Sequence, residues 1–219
     1  ATLQELAIPV IQISAVKKDI AHPAALSVLG SRDITTPSIT LKIFQEEPVG
    51  GIVSCHRVRL HFESEDGTIL SYYDKVNGRE VFTSRGNQLW AYSDRPRNWD
   101  AWDIAADYEK YGEEIRDVEY IKILEEGPAR GVIEVKKRYR NSSIIQRYVL
   151  YKDSPKLDIE TIIDWHDRRI LVKALFPFDV RSSYATYEIA YGHIQRPTHK
   201  NTSWDSAKFE APEIGRASC

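Results

Sequence analysis

Residues 94 to 103, Asp-Arg-Pro-Arg-Asn-Trp-Asp-Ala-Trp-Asp, gather indole rings, carboxylates and guanidinium groups into one short stretch. Indole faces stack on the apolar faces of pyranose rings, and carboxylates and guanidinium groups hydrogen-bond sugar hydroxyls. Trp99, Asp100, Trp102 and Asp103 are therefore candidate carbohydrate-binding residues. The same mixture also suits an ordinary loop whose two Trp pack into a core while its charges pair with one another. Hydrolysis of a glycoside asks for two carboxylates, about 5 Å apart for retention and roughly 6.5 to 9.5 Å for inversion. Asp100 and Asp103 are the pair to name for such acid and base work, although sequence spacing supplies no such distance.

A second aromatic and polar stretch runs from Tyr187 to Asp205 and carries Arg196 and His199 as further candidate sugar contacts. By its residue types it reads either as a long functional loop or as a connection pinned by Arg and Trp packing. Metal ligation is not supported by histidine spacing. His56 and His61 stand at odd separation on one strand and so face opposite ways, His166-Asp167 has no second ligand close by, and His193 and His199 match no standard pair. No glycine-rich phosphate loop and no G-x-S-x-G elbow is present.

The elements that must position these residues read as strands. Val58, Leu60 and Phe62 alternate with charged residues, Asp66-Gly67 makes a tight turn, Ile69 to Tyr73 returns, and Asn77-Gly78 turns again before Arg79 to Phe82. A second meander places Ile133, Val135 and Tyr139 on one face, turns at Asn141-Ser142, and continues through Ile144 to Tyr151. After Asp153-Ser154-Pro155, the alternation of Leu157, Ile159, Thr161 and Ile163 predicts another strand, and Leu171 to Val180 is apolar enough to be a central one. Residues 105 to 116 read as a short irregular or helical excursion. The whole argues for an all-β protein built as a large antiparallel β-sandwich. We divide it into residues 1–50, a small β unit or edge strands interrupted by prolines, residues 51–210, the sandwich, and residues 211–219, a tail.

Composition sets the outer limits. The 219 residues have a net charge of -2, which offers no general attraction to nucleic acid or to an anionic membrane, and no apolar run reaches a bilayer-spanning length. Two cysteines, Cys55 and Cys219, exclude a disulfide framework and favour a reducing, cytoplasmic setting, against which Asn141-Ser142-Ser143 and Asn201-Thr202-Ser203 weigh little. Methionine is absent even at position 1, so we expect a chain that starts inside a longer protein. Oligomer formation is left open.

From Phe176 onward the sequence resembles the family 38 α-mannosidases. Phe176-Pro177-Phe178-Asp179-Val180, Ala185-Thr186-Tyr187-Glu188-Ile189, Gly192-His193, Arg196-Pro197-Thr198-His199 and Asn201-Thr202-Ser203-Trp204-Asp205 follow in the family's order. Asp66-Gly67-Thr68-Ile69, Tyr73-Asp74-Lys75, Gly78-Arg79-Glu80, Asp94-Arg95-Pro96 and Trp99-Asp100-Ala101-Trp102-Asp103 agree as well, so the likeness covers about residues 55 to 210. The resemblance implies the β region that follows the catalytic domain of a retaining α-mannosidase, a galactose-mutarotase-like supersandwich left incomplete at a sheet edge. It implies a parent enzyme that hydrolyses mannose-containing glycans with an aspartate nucleophile and zinc or another divalent metal. In the family those groups lie upstream, so no catalytic or metal-ligating residue is carried onto this chain, and no metal is expected on it. The implied partners are the catalytic domain of the same enzyme and its glycan. Two rival readings remain: a stand-alone carbohydrate-binding module using Trp99 and Trp102, and a self-contained hydrolase using Asp100 and Asp103.

Overall fold

The computed structural model describes residues 11–16, 40–43, 51–55, 57–63, 65–99, 103–210 and 217–218. By its internal contacts the chain falls into two compact units, Ala1–Pro177 and Phe178–Cys219.

In the first unit one five-stranded sheet comprises β2 (Thr40–Ile43), β3 (Gly51–Ser54), β4 (Val58–Phe62), β5 (Ile69–Asp74) and β6 (Arg79–Glu80), antiparallel and in sequence order. The turns follow from local chemistry. Gly67 and Gly78 both hold left-handed φ angles, 61° and 64°, which a side chain would oppose. Between β5 and β6, Asp74 accepts the amides of Val76 and Asn77 at 2.9 and 3.1 Å and the Asn77 side-chain amide at 2.6 Å.

The facing sheet has the order β1-β12-β11-β10-β9, with β1 Ile11–Val16, β9 Val118–Glu126, β10 Arg130–Tyr139, β11 Ser142–Tyr151 and β12 Leu157–Asp164. Its pairs are antiparallel except that β1 runs parallel to β12, an exception to the all-antiparallel pairing that local alternation suggests. The β10–β11 turn is Arg140-Asn141, one residue earlier than expected, because Tyr139 pairs with Ser142 and Arg140 takes the left-handed φ of 49°. On β12 the buried face runs through Leu157, Ile159 and Thr161 but ends before Ile163, which is 39% exposed.

Apolar faces of the two sheets meet in one core. Val58, Leu60, Phe62, Ile69 and Tyr72 pack with Ile133, Val135, Tyr148, Leu150, Leu157 and Ile159, which makes the sandwich. A three-stranded sheet, β13-β7-β8, adds a second cluster of Leu89, Ala91 and Ile115 against Tyr139 and Ile144. Here β7 is Gln88–Ser93, β8 Gly112–Glu114 and β13 Ile170–Leu175, and the excursion before β8 contracts to a 3-10 turn over Tyr108–Tyr111. Among the described residues β13 is an edge strand paired with β7 alone, not a central one, and it stops at Leu175. Beyond it, Phe176 packs on the core, and Pro177, which has no N–H for a ladder, gives its carbonyl to the Thr83 amide at 2.8 Å.

The second unit holds the antiparallel hairpin β14 (Tyr184–Ile189) and β15 (Gly192–Pro197), a short helix α1 (Ser203–Ala207), and β16 (Ala217–Ser218) paired with β14.

Candidate functional site

The acidic and aromatic stretch leaves the end of β7. Its first residue, Asp94, donates its amide to the Arg169 carbonyl at 2.8 Å, which ties the loop to the chain entering β13. Trp99 lies in the left-handed region at φ 61° and is 75% exposed, so its indole is not one that packs into the sandwich. Its carbonyl accepts the Asp103 amide at 3.0 Å, and the exposed Asp103 carboxylate accepts the amide of Ile104 at 2.9 Å. Trp99 and Asp103 are thus brought together by the backbone. Asp100 and Trp102 lie outside the described residues, and with them the proposed carboxylate pair.

In the second unit, the stretch from Tyr187 to Asp205 is not a long loop. Most of it forms the β14–β15 hairpin and a helix start. Arg196, on β15 opposite Ala185, places its guanidinium 5.5 Å from the centre of the Tyr187 ring, a cation–π stack across the hairpin. Thr202 is the N-cap of α1: its hydroxyl oxygen accepts the Asp205 amide at 3.1 Å and its O–H donates to Asp205 Oδ2 at 2.7 Å. His199 Nδ1 stands 3.8 Å from that same Oδ2, so the Arg-Pro-Thr-His and Asn-Thr-Ser-Trp-Asp motifs converge on one carboxylate. The indole of Trp204 projects from α1 into solvent.

A third cluster is buried and was not singled out from sequence. Asp66 is inaccessible; it accepts the Thr68 amide at 3.0 Å and hydroxyl at 2.5 Å, and it is salt-bridged by Arg85 and, at 3.0 Å, by Arg116. Burial pushes its carboxyl upward, but the Thr68 hydrogen bonds and the Arg85 charge outweigh that and hold it below its ordinary range. Arg85 also forks onto Glu114 at 3.0 and 3.1 Å. Beside them Lys137, 1% exposed, leaves its Nζ without a hydrogen-bond partner, and burial pulls its pKa down to about 8. Asn87, at φ 55°, donates to Gln146 at 2.9 Å and to the Tyr148 hydroxyl at 2.5 Å. The signal was in the parity of β10: with Ile133, Val135 and Tyr139 facing inward, position 137 must face inward too.

Among the described residues no group of three or more His, Cys, Asp or Glu stands close enough to hold a metal ion. His166 Nε2 stands 3.1 Å from Asp164 Oδ1, and one such pair is too few ligands for a zinc site. The residues described do not fit zinc. No described helix is long and apolar enough to cross a membrane.

Residues 53–218 match the family model described as "Glycosyl hydrolases family 38 C-terminal domain". Alpha-mannosidase G of Dictyostelium discoideum is 36% identical over 161 residues, which cover 66% of this chain and 14% of that protein. Alpha-mannosidase 2C1 is 38% identical over 152 residues in Homo sapiens, covering 66% and 14%, and 33% identical over 214 residues in Mus musculus, covering 87% and 20%. An alpha-mannosidase from Enterococcus faecalis V583 shares the fold, with a TM-score of 0.58 at 15% identity over 70% of this chain and 20% of that one. The chain therefore spans from 14% to 20% of the length of these curated relatives.

Proposed function

We propose that this chain, which belongs to the family of glycosyl hydrolase family 38 C-terminal domains, is the post-catalytic β-sandwich of a retaining α-mannosidase that removes α-linked mannose from glycans. The observation that carries the reading is the family match over residues 53–218. The sandwich supports the catalytic domain of the same enzyme and is inactive alone, because the nucleophile and the divalent metal belong to that other domain. Trp99, Asp100, Trp102 and Asp103, together with Arg196 and His199, are its contacts to the mannose-containing glycan. The solvent-facing indole of Trp99 supports that role, since a stacking platform must be open to its sugar. A cytoplasmic setting is part of the reading and is supported by the free, buried thiol of Cys55.

The test is aryl α-mannoside hydrolysis by the purified chain, with and without zinc, beside the same chain mixed with the polypeptide encoded upstream. We expect turnover in the mixture alone. Metal-dependent turnover by the chain alone would overturn the reading. The exposure of Trp99 also favours a second one, a carbohydrate-binding module that works by itself. Mannoside binding by the isolated chain, abolished by Trp99→Ala or Trp102→Ala, would establish that module, and no binding at millimolar sugar would dismiss it.

A further inference from the structure

At the end of β7 the three-stranded sheet opens into a cavity of about 380 Å³ whose wall carries Arg95, Arg140, Arg168 and Arg169, with Glu113 as the one carboxylate among its described lining residues. Four arginines line it although the chain as a whole has a net charge of -2. Strand pairing explains the gathering. Ile170 pairs with Ser93 and Gly112 with Tyr92, so the residues entering β13, those leaving β7 and the start of β8 reach one end of the sheet together. The tip of the β10–β11 hairpin adds Arg140.

The lone carboxylate is already engaged. Glu113 Oε1 accepts the Tyr139 hydroxyl at 2.7 Å and Arg140 Nη2 at 2.9 Å. Tyr139 is fixed in turn by stacking on Trp165, with centroids 5.6 Å apart and planes 7° from parallel, and by the Arg140 guanidinium 4.8 Å from its ring centre. Its hydroxyl, pushed up to about 12 by burial and then by Glu113, stays protonated as the donor. Arg95 and Arg168 are exposed and have no carboxylate partner among the described residues. Arg140 and Arg169 both hold left-handed backbone, at φ 49° in the β10–β11 turn and 55° just before β13.

We propose that this pocket binds a phosphoryl or sulfate group, with Arg95 and Arg168 as its principal ligands and the Glu113–Tyr139–Arg140 cluster as its fixed wall. Guanidinium forks match the oxygens of a tetrahedral oxyanion in pairs, and a concave, half-enclosed wall strengthens each charge-assisted bond relative to open water. The group arrives either as a free anion or on a phosphorylated sugar. The proposal concerns this chain itself and does not rest on which glycoside a parent enzyme cleaves.

The test is calorimetric and NMR titration of the purified chain with inorganic phosphate and, separately, with a hexose 6-phosphate, at low and high sodium chloride. We expect saturable one-site binding that weakens with salt. The paired variant Arg95→Gln/Arg168→Gln should weaken it about tenfold or more, the loss expected for a charge-assisted bond or two. Both substituted residues are on the surface, so far-UV circular dichroism and Tm should be unchanged. Tighter binding of the hexose phosphate would assign the sugar-borne group, and equal binding the free anion. The absence of saturable binding of either probe up to about 50 mM, or equal binding by the paired variant, would overturn the site.

Discussion

Phe62 meets Tyr148 edge-on across the sandwich, with ring centroids 4.8 Å apart and planes at 68°. Phe62 comes from β4 and Tyr148 from β11, so this one contact joins the two five-stranded sheets at the centre of the core. Phe62→Ala removes a fully buried ring that neighbours on both sides hold in place. We expect a loss of about 3 to 5 kcal/mol in urea unfolding, from transfer and cavity terms together. A loss below about 1 kcal/mol would mean that the sheets are held apart from this contact.

Lys137 sets a pH dependence opposite to that of an ion-paired lysine. Its folded pKa is about 8 and its ordinary value 10.5. Between those values the unfolded chain binds a proton that the folded one has released, so stability from this group rises with pH across the window and its penalty is complete below pH 8. Lys137→Met should therefore stabilise the protein at pH 7 by an amount on the order of 3 kcal/mol, and by progressively less as pH 10 is approached. Urea midpoints of both proteins at pH 7 and 10 check this, and equal differences at the two values would refute it.

Asp66 governs the acid side. Its depressed pKa makes its contribution fully present above the ordinary carboxylate value of 3.8 and lost as pH falls through the folded one. Asp66→Asn should flatten the acid limb of the stability curve. At pH 7 it should cost about 2 kcal/mol or more, because Arg85 and Arg116 lose a buried counterion.

At Gly67 a Cβ would sit 2.6 Å from Val135 Cγ1, at a φ of 61°. Gly67→Ala combines backbone strain with overpacking, and we expect a loss of about 2 to 4 kcal/mol. Adding Val135→Ala should recover only part of it, since the strained φ persists. Full recovery would show that the clash alone matters.

Trp99 separates stability from glycan chemistry. Trp99→Gly should leave stability within about 0.5 kcal/mol or raise it, because the indole is exposed and glycine tolerates the left-handed backbone. If the proposed role is right, the same change should lower kcat/KM in the chain reunited with its upstream polypeptide, and an unchanged kcat/KM would remove Trp99 from the substrate contacts.

Legibility tracked locality. The alternation of Val58, Leu60 and Phe62 and the turns at Gly67 and Gly78 could be read because their causes lie within a few residues. The capped start of α1 lies inside the Asn-Thr-Ser-Trp-Asp motif, where Thr202 and Asp205 have the spacing of a cap. Asp66 read only as a turn residue, because nothing near it in sequence announces Arg85 or Arg116. The position of β13 at an edge was likewise hidden, since apolar content does not say how many neighbours a strand has. At the candidate site, the exposure of Trp99 depended on a left-handed φ that no residue type in the loop would suggest.

The parallel ladder between β1 and β12 pairs Ile11 with Leu157 and Val16 with Ile162. Closing so large a loop carries an entropic cost with no local reward, and such pairings form slowly. During synthesis β1 must wait until the chain has been made through Leu157–Asp164, because its partner strand does not yet exist. The hairpins β4–β5 and β10–β11 can assemble as they emerge, so β1 is the last strand to join its sheet, and until it does the backbone edge of β12 stands open to pairing with another chain.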